Sequence, residues 1–407
     1  MKDRARRVLA MCDAIATMTE EPGRITRRFL TPPARDVHAL LSGRMKELGM
    51  EIWTDAAGNL RGQSRPKGAP DKRFVVGSHI DSVPDAGAYD GVLGVALALG
   101  LAAIAQEDKL PLALEVIAFS EEEGVRFGVP FLGSRAVAGR FDPALLTLKD
   151  AQGTTLEQAI RDFGLDPNGM SDAILDEDAI GFLEMHIEQG PVLEAEGLGV
   201  AAVTGIVGQT RVEMEFVGQA NHAGTTPMHL RRDALAGAAE WIAAVEAEAR
   251  HTEHLVTTVG RILTVPNASN VITGQVQLTL DVRHPGDAVR LHAVEILLAK
   301  AGEVAERRGL ALQCDRKVDQ PAVSMDERLT AYLADAMESE GFPRKEMPSG
   351  AGHDAMVMAG RVPAAMLFLR SPGGISHNPA ESVREEDVES ALRVGRTFLA
   401  RIAAEVR

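Results

Sequence analysis

Four short stretches of the 407-residue sequence place imidazoles and carboxylates directly after apolar runs. They are SHID (78–81), SEEEGVRFG (120–128), EMHIEQG (184–190) and GGISHNP (373–379). Imidazole and carboxylate without thiolate is a donor set for Zn²⁺, Mn²⁺ or Co²⁺ in a catalytic setting, where a water must become a nucleophile. Hydrolysis by a pair of such ions needs one carboxylate shared between them and another free to carry a proton. Asp90, in the glycine-flanked stretch AYDGVLG at the start of a helix, is a candidate for the shared group. Glu121, Glu122 and Glu123 can supply both a ligand and a base, and spacing does not rank the three.

The apolar runs that carry these groups are Arg73 to Gly77, Leu112 to Ser120, Gly181 to Glu188 and Ala364 to Arg370. Each has the length and composition of a buried strand, while Gly91 to Gln106 and Glu386 to Arg401 have helical periodicity. Strands alternating with helices predict an α/β core with a mostly parallel sheet. Ligands of such sheets bind beyond the carboxyl ends of the strands, which is where all four clusters fall. From Gln209 the pattern changes. TRVEMEFVG alternates like a half-exposed strand, Arg231 to Arg250 is an alanine-rich helix, and His254 to Leu263 and Gln275 to Arg283 are strands. A helix at Asp287 to Arg308 and a strand at Leu310 to Lys317 complete a β-α-β-β-α-β order, that of a small ferredoxin-like sandwich. The expected organisation is a catalytic domain in two parts, 1–208 and 321–407, interrupted by an inserted domain at 209–320.

Composition narrows the function classes. Apolar residues make up 45% and aromatics only 4%, so the cores are built from aliphatic side chains. Against 43 basic residues stand 58 acidic ones, a formal charge of −15, which repels nucleic-acid phosphates and anionic lipid. Cys12 and Cys314 are too few and too far apart for a disulfide framework or a thiolate zinc site. The first residues form a charged amphipathic pattern rather than a signal-peptide core, and no run is apolar enough to span a membrane. A cytoplasmic setting is expected.

Taken together, GSHIDSVP with YDG, SEEEG, HIEQGP, NHAGTTPM, SGAGHDA and GGISHNPAE resemble the M20 metallopeptidase-like amidohydrolases, in the branch of allantoate amidohydrolases and N-carbamoyl-L-amino acid hydrolases. The resemblance spans nearly the whole chain, with the motifs in family order. It implies two divalent ions per subunit, Zn²⁺ or Mn²⁺, one held by His79, Asp90 and His186 and the other by Asp90, Glu122 and His377. It also implies Glu121 as general base and Asp81 as the carboxylate that orients the His79 imidazole. The counterpart of His222, in GQANHAGTTP, stabilises the oxyanion in the active site of the partner subunit. That implies a homodimer paired through the inserted domain, which acts as dimerisation and lid domain. Asn270 and Arg283 match residues that bind the substrate carboxylate, and Gln189 is expected to donate to the ureido group. Arg211 falls in a GQ-x-R pattern similar to that of allantoate amidohydrolases, where many carbamoylases carry apolar residues.

The implied reaction is hydrolysis of a linear ureido group on a small carboxylate, releasing ammonia and carbon dioxide. Allantoate is the first expectation, followed by N-carbamoyl-L-amino acids and then N-carbamoyl-β-alanine, the β-ureidopropionase substrate. An M20 aminopeptidase or deacylase is the more distant alternative, opposed by His186 where those relatives commonly carry a carboxylate. A catalytically dead scaffold protein is opposed by the full set of candidate ligands. His353 in SGAGHDA is not counted among them, because its flanking glycines suit close approach of backbone to substrate.

Overall fold

The computed structural model describes residues 1–406. In chain order the strands are β1 (Glu51–Thr54), β2 (Leu60–Ser64), β3 (Arg73–His79), β4 (Ala113–Phe119), β5 (Ala179–Ile187), β6 (Val200–Ile206), β7 (Gly208–Val217), β8 (Val256–Thr258), β9 (Ile262–Val265), β10 (Gln275–His284), β11 (Ala311–Gln320), β12 (Val323–Ser324), β13 (Glu346–Ser349) and β14 (Ala364–Leu369). The α-helices are α1 (Lys2–Ala16), α2 (Pro32–Glu47), α3 (Val92–Glu107), α4 (Leu132–Val137), α5 (Leu156–Asp162), α6 (Val192–Glu196), α7 (Ala234–His251), α8 (Asp287–Arg308), α9 (Glu327–Ser339), α10 (Asp354–Met358) and α11 (Glu385–Glu405). Contacts divide the chain into one unit of Met1–Thr204 with the stretch from Ser324 onward, and a second unit, Gly205–Val323.

In the first unit the strands lie in the order β1-β2-β4-β3-β5-β14-β6, with β13 also on β6. The central four, β4, β3, β5 and β14, run parallel. Antiparallel pairs flank them: β2 on β4, and β6 on β14. Every residue of β3, β4 and β14 is buried, because helices cover a parallel sheet and leave no wet face to select polar side chains. Helix α3 is correspondingly almost continuous Val, Leu and Ala, and it packs on β3, β4 and β5 and against α1 and α11. Phe74 of β3 and Phe398 of α11 meet edge to face at 5.5 Å in this core.

The second unit is one antiparallel sheet, β11-β7-β10-β8 with β9 also on β10, and α7 and α8 pack on it. Its strands alternate between buried and exposed residues, the mark of a sheet covered on one side. The core holds Val212, Met214 and Phe216 of β7, Leu278, Leu280 and Val282 of β10, and Trp241 of α7. The single strand expected from His254 to Leu263 is two strands, β8 and β9, which follow one another along the same side of β10. Between them lies Val259-Gly260-Arg261, where the extended ladder is interrupted.

His38 of α2 is buried against the edge of Phe163, and burial pushes its imidazole down to about 4. The unfolded chain takes up this proton near pH 6.5 and the folded chain does not, so the stability His38 contributes is complete above pH 6.5 and is lost as pH falls toward 4. Between pH 6.5 and 5 wild type is expected to lose about 2 kcal/mol more than His38→Leu in urea unfolding. A gap between the two proteins that does not change with pH would refute this.

Candidate active site

Because β3, β4, β5 and β14 run parallel, their carboxyl ends fall at one edge of the sheet. His79 is the last residue of β3, level with Phe119 of β4, and His186 of β5 is level with Phe368 of β14. Glu121 to Glu123 follow β4, and Ser376 and His377 follow β14. Asp90 precedes α3, separated from it by Gly91 at φ +67°. A Cβ on Gly91 would lie 2.4 Å from the His79 ring, so only glycine lets the helix begin against that imidazole.

Asp90 is the centre of the cluster. Its Oδ1 lies 3.1 Å from His186 Nε2 and 3.6 Å from His79 Nε2, and its Oδ2 lies 3.2 Å from His377 Nε2. Two groups of ligand atoms therefore share one carboxylate: His79, Asp90 and His186, and Asp90, Glu123 and His377, the atoms of each within 4.8 Å of one another. The ring nitrogens Nδ1 of His79 and His186 face the carbonyls of Asp81 (3.2 Å) and Ile187 (2.9 Å). Each ring N–H is thereby held outward, and the two Nε2 atoms point at each other 3.4 Å apart. Both Nε2 atoms thus lie beside Asp90 Oδ1, and two imidazoles and a carboxylate converging in this way fit a divalent metal.

Electrostatics point the same way. Burial opposes ionisation of Asp90, but hydrogen bonds from His186, His377 and His79 outweigh it and hold the carboxyl well below its usual range. Burial likewise opposes charge on His79, and Asp81 and Asp90 overcome it to raise this imidazole well above its ordinary value. Glu123 is pushed up to about 7 by burial and by the charge of Asp90. A buried place that favours the charged form of His79 and disfavours that of Glu123 is short of positive charge.

Beside Asp90 and His377, where Glu122 is expected, the ligand atoms that group are those of Glu123, and Glu122 lies in an adjoining group. Glu123 takes the position beside His377, 3.5 Å from its Nε2. The cause is Asp81, whose Oδ1 and Oδ2 accept the backbone N–H of Glu122 and of Glu123, both at 3.0 Å, and fix the turn after β4. The same carboxylate lies 3.4 Å from His79 Nδ1. Glu122 falls in a group with His79 and Glu123, whereas Glu121 belongs to no ligand group among the described residues. Glu121 Oε1 accepts the N–H of Arg126 at 3.2 Å and its Oε2 is buried without a partner. Burial and the Asp81 charge raise its carboxyl well above the usual range, as burial also does for Glu122.

Gln189 lies beside the shared carboxylate. Its backbone is left-handed, φ 58°, and its side-chain amide is directed at Asp90 Oδ2 (3.0 Å) and Ser376 Oγ (3.2 Å). Its donors are occupied, and what it presents unpaired is the buried carbonyl Oε1. Glu381, not singled out from sequence although it closes the GGISHNPAE stretch, accepts the N–H of Tyr89 (2.8 Å) and Asp90 (3.0 Å) and so holds the loop that carries the shared carboxylate. His353 is buried with its ring 4.4 Å from that of His186 and its Nε2 3.0 Å from Ser349 Oγ.

The remaining candidates lie in the second unit. His222 pairs with Val271 in an isolated bridge, and the Asn270 carbonyl accepts the N–H of Ala223 at 3.0 Å, so the His222 and Asn270 loops lie together. They continue the β7-β10 ladder past Val217 and Gln275, whereas Arg211 and Arg283 sit near its other end, beside Thr210 and Gln209. Six residues of strand separate Arg211 from Val217, about 20 Å. The unit brings each pair together but keeps the pairs apart.

Residues 75–402 match Peptidase family M20/M25/M40. The chain is 37% identical over 417 residues to allantoate deiminase of Arabidopsis thaliana, covering 94% of this chain and 79% of that protein. It is 38% identical over 368 residues to N-carbamoyl-L-amino acid amidohydrolase of Geobacillus stearothermophilus, covering 90% of each. The crystal structure of an amidase of the hydantoinase/carbamoylase family from Burkholderia multivorans superposes with a TM-score of 0.92 at 32% identity, over 98% of this chain and 97% of that one. No described helix is long and apolar enough to cross a membrane.

Proposed function

Since the chain belongs to peptidase family M20/M25/M40 and is a hydrolase, we propose that it cleaves the C–N bond of a linear ureido group on a small carboxylate, with allantoate as the favoured substrate. The observation that carries this reading is Asp90 between two groups of ligand atoms, with a further carboxylate, Glu122, in an adjoining group with His79 and Glu123. The metal ligands are His79, Asp90 and His186 on one side and Asp90, Glu123 and His377 on the other. Divalent ions bound there, Zn²⁺ or Mn²⁺, supply the Lewis acidity that makes water nucleophilic and polarises the ureido carbonyl.

The residues of the chain do the rest. Glu122 Oε takes a proton as water adds to the ureido carbon and returns it to the departing nitrogen. The carbamate left behind breaks down to ammonia and carbon dioxide. Gln189 Oε1, an unpaired buried acceptor, suits the terminal N–H₂ that a ureido group has and an acyl amide lacks. Arg211 and Arg283 bind the substrate carboxylate, for which a planar guanidinium fork is well shaped. His222 donates to the oxyanion and Asn270 binds beside it.

A homodimer through the second unit is part of the same reading. Two pairs of substrate groups separated by about 20 Å of strand suit a site to which a second copy supplies one pair. Nine of the ten large apolar residues exposed among the described residues belong to this unit, including Ile262, Leu263 and Val265 on the β9 edge and Met228 and Leu230 beyond the His222 loop. Unpartnered apolar edges of this kind mark association surfaces. The opposite edge, β11, is instead studded with charge by Asp315, Arg316, Lys317 and Asp319.

The test is ammonia release by protein reconstituted with Mn²⁺ or Zn²⁺, comparing allantoate, an N-carbamoyl-L-amino acid, N-carbamoyl-β-alanine and an N-acyl amino acid. Allantoate is expected to react fastest and the acyl compound not at all. Release from the carbamoyl amino acids with none from allantoate would reverse the ranking, and cleavage of the acyl compound alone would overturn the ureido assignment.

A further inference from the structure

We infer that Asp281 is a positioning residue for carboxylate recognition: it holds the guanidinium groups of Arg211 and Arg283 as a fixed pair on one face of the second unit. The inference rests on the reading of these two arginines as the carboxylate-binding groups.

Asp281 of β10 is directly opposite Arg211 of β7, and Arg283, two residues on, is opposite Gln209. Because side chains alternate along a strand, all four share the face turned away from buried Val212, Leu280 and Val282. The Asp281 carboxylate collects donors from the other three. Its Oδ2 accepts from Arg211 Nε at 2.8 Å and from Gln209 Nε2 at 2.6 Å, and its Oδ1 accepts from Arg283 Nε at 2.8 Å. A cross-strand ion pair needs only one of these contacts. Here one carboxylate takes Nε of Arg211 and both Nε and Nη2 of Arg283, and so holds the two guanidiniums side by side.

Charge gives the arrangement its purpose. Two adjacent guanidiniums repel each other and would spread apart on an exposed sheet face. With Asp281 between them the trio carries a net charge of one, the complement of a single carboxylate, and the ordering of two long side chains is complete before substrate arrives. The same face provides a contrast. Glu213 of β7 pairs with Arg261 at 3.2 Å and with Lys317 at 3.5 Å, an ordinary exposed ion-pair network whose members have no part in the proposed chemistry.

Steady-state kinetics of Asp281→Asn, Arg283→Ala, Arg211→Ala and Glu213→Gln, on whichever ureido carboxylate wild type turns over, test this. Asp281→Asn is expected to raise KM roughly ten- to hundredfold with kcat little changed, as do the two arginine variants, while Glu213→Gln leaves both constants as they are. Thermal midpoints of Asp281→Asn and Glu213→Gln are expected to match, because both remove only exposed or half-exposed ion pairs. If the arginine variants raise KM and Asp281→Asn does not, the positioning role is overturned and the carboxylate reading stands. If neither arginine variant changes KM, the carboxylate reading fails and takes the inference with it. A fall in kcat and thermal midpoint with no selective change in KM makes Asp281 structural and also overturns the proposal.

Discussion

Glu122→Gln is expected to lower kcat by about 10³-fold while the protein keeps its full metal content. The size follows from removing the one group that carries the proton in both directions, and glutamine preserves the shape of the side chain while abolishing its basicity. The variant separates three adjacent glutamates that have different fates in the fold. Glu123 is beside His377 and Asp90, so Glu123→Gln is expected to release metal. Glu121 belongs to no ligand group among the described residues and its Oε1 accepts from the Arg126 amide, a bond that glutamine can keep by its own carbonyl, so Glu121→Gln is expected to leave both metal and turnover nearly unchanged. Metal analysis and ammonia release on the three variants check this, and loss of turnover with metal retained in Glu121→Gln instead of Glu122→Gln would return the base to the first glutamate.

The legible parts of this molecule are those where one physical requirement dominates a whole segment. Strands β3, β4, β5 and β14 are written as largely apolar runs because both faces are covered, and their ligand-bearing ends follow from running parallel. The inserted unit is legible because a one-sided sheet forces alternation over ten residues in β7 and β10. What could not be read depends on single contacts made across the fold. Glu122 and Glu123 are interchangeable as letters; their directions are set by two hydrogen bonds to Asp81, about forty positions earlier in the chain. Gln189 looks like a free donor next to a ligand strand, but a left-handed backbone turns its amide onto Asp90 and Ser376. Asp281 stands in LDVRHP as an ordinary exposed residue of an alternating strand, and only the β7 register puts Arg211 opposite it. The break between β8 and β9 has a visible cause in Gly260, yet a lone glycine in a strand pattern marks a bulge, a bend or nothing.

Asp90→Asn has the largest expected effect on metal. Asp90 meets His79 and His186 through Oδ1 and His377 through Oδ2, so the substitution removes a charge from both sides at once. Losing the Lewis acidity of bound ions forfeits several kcal/mol of transition-state stabilisation, so turnover is expected to fall on the order of 10⁴-fold. The informative readout is stoichiometry after equilibration with limiting Mn²⁺. Glu123→Gln removes a ligand from the His377 side alone and is expected to keep the ion held by His79, Asp90 and His186, whereas Asp90→Asn is expected to lose both. The loops themselves are held by other contacts, since Glu381 accepts the amides of Tyr89 and Asp90 whatever side chain residue 90 carries, so the variant is expected to fold. Asp90→Asn that binds as much metal as wild type, or loses no more than Glu123→Gln does, would show that the two ligand groups do not share this carboxylate.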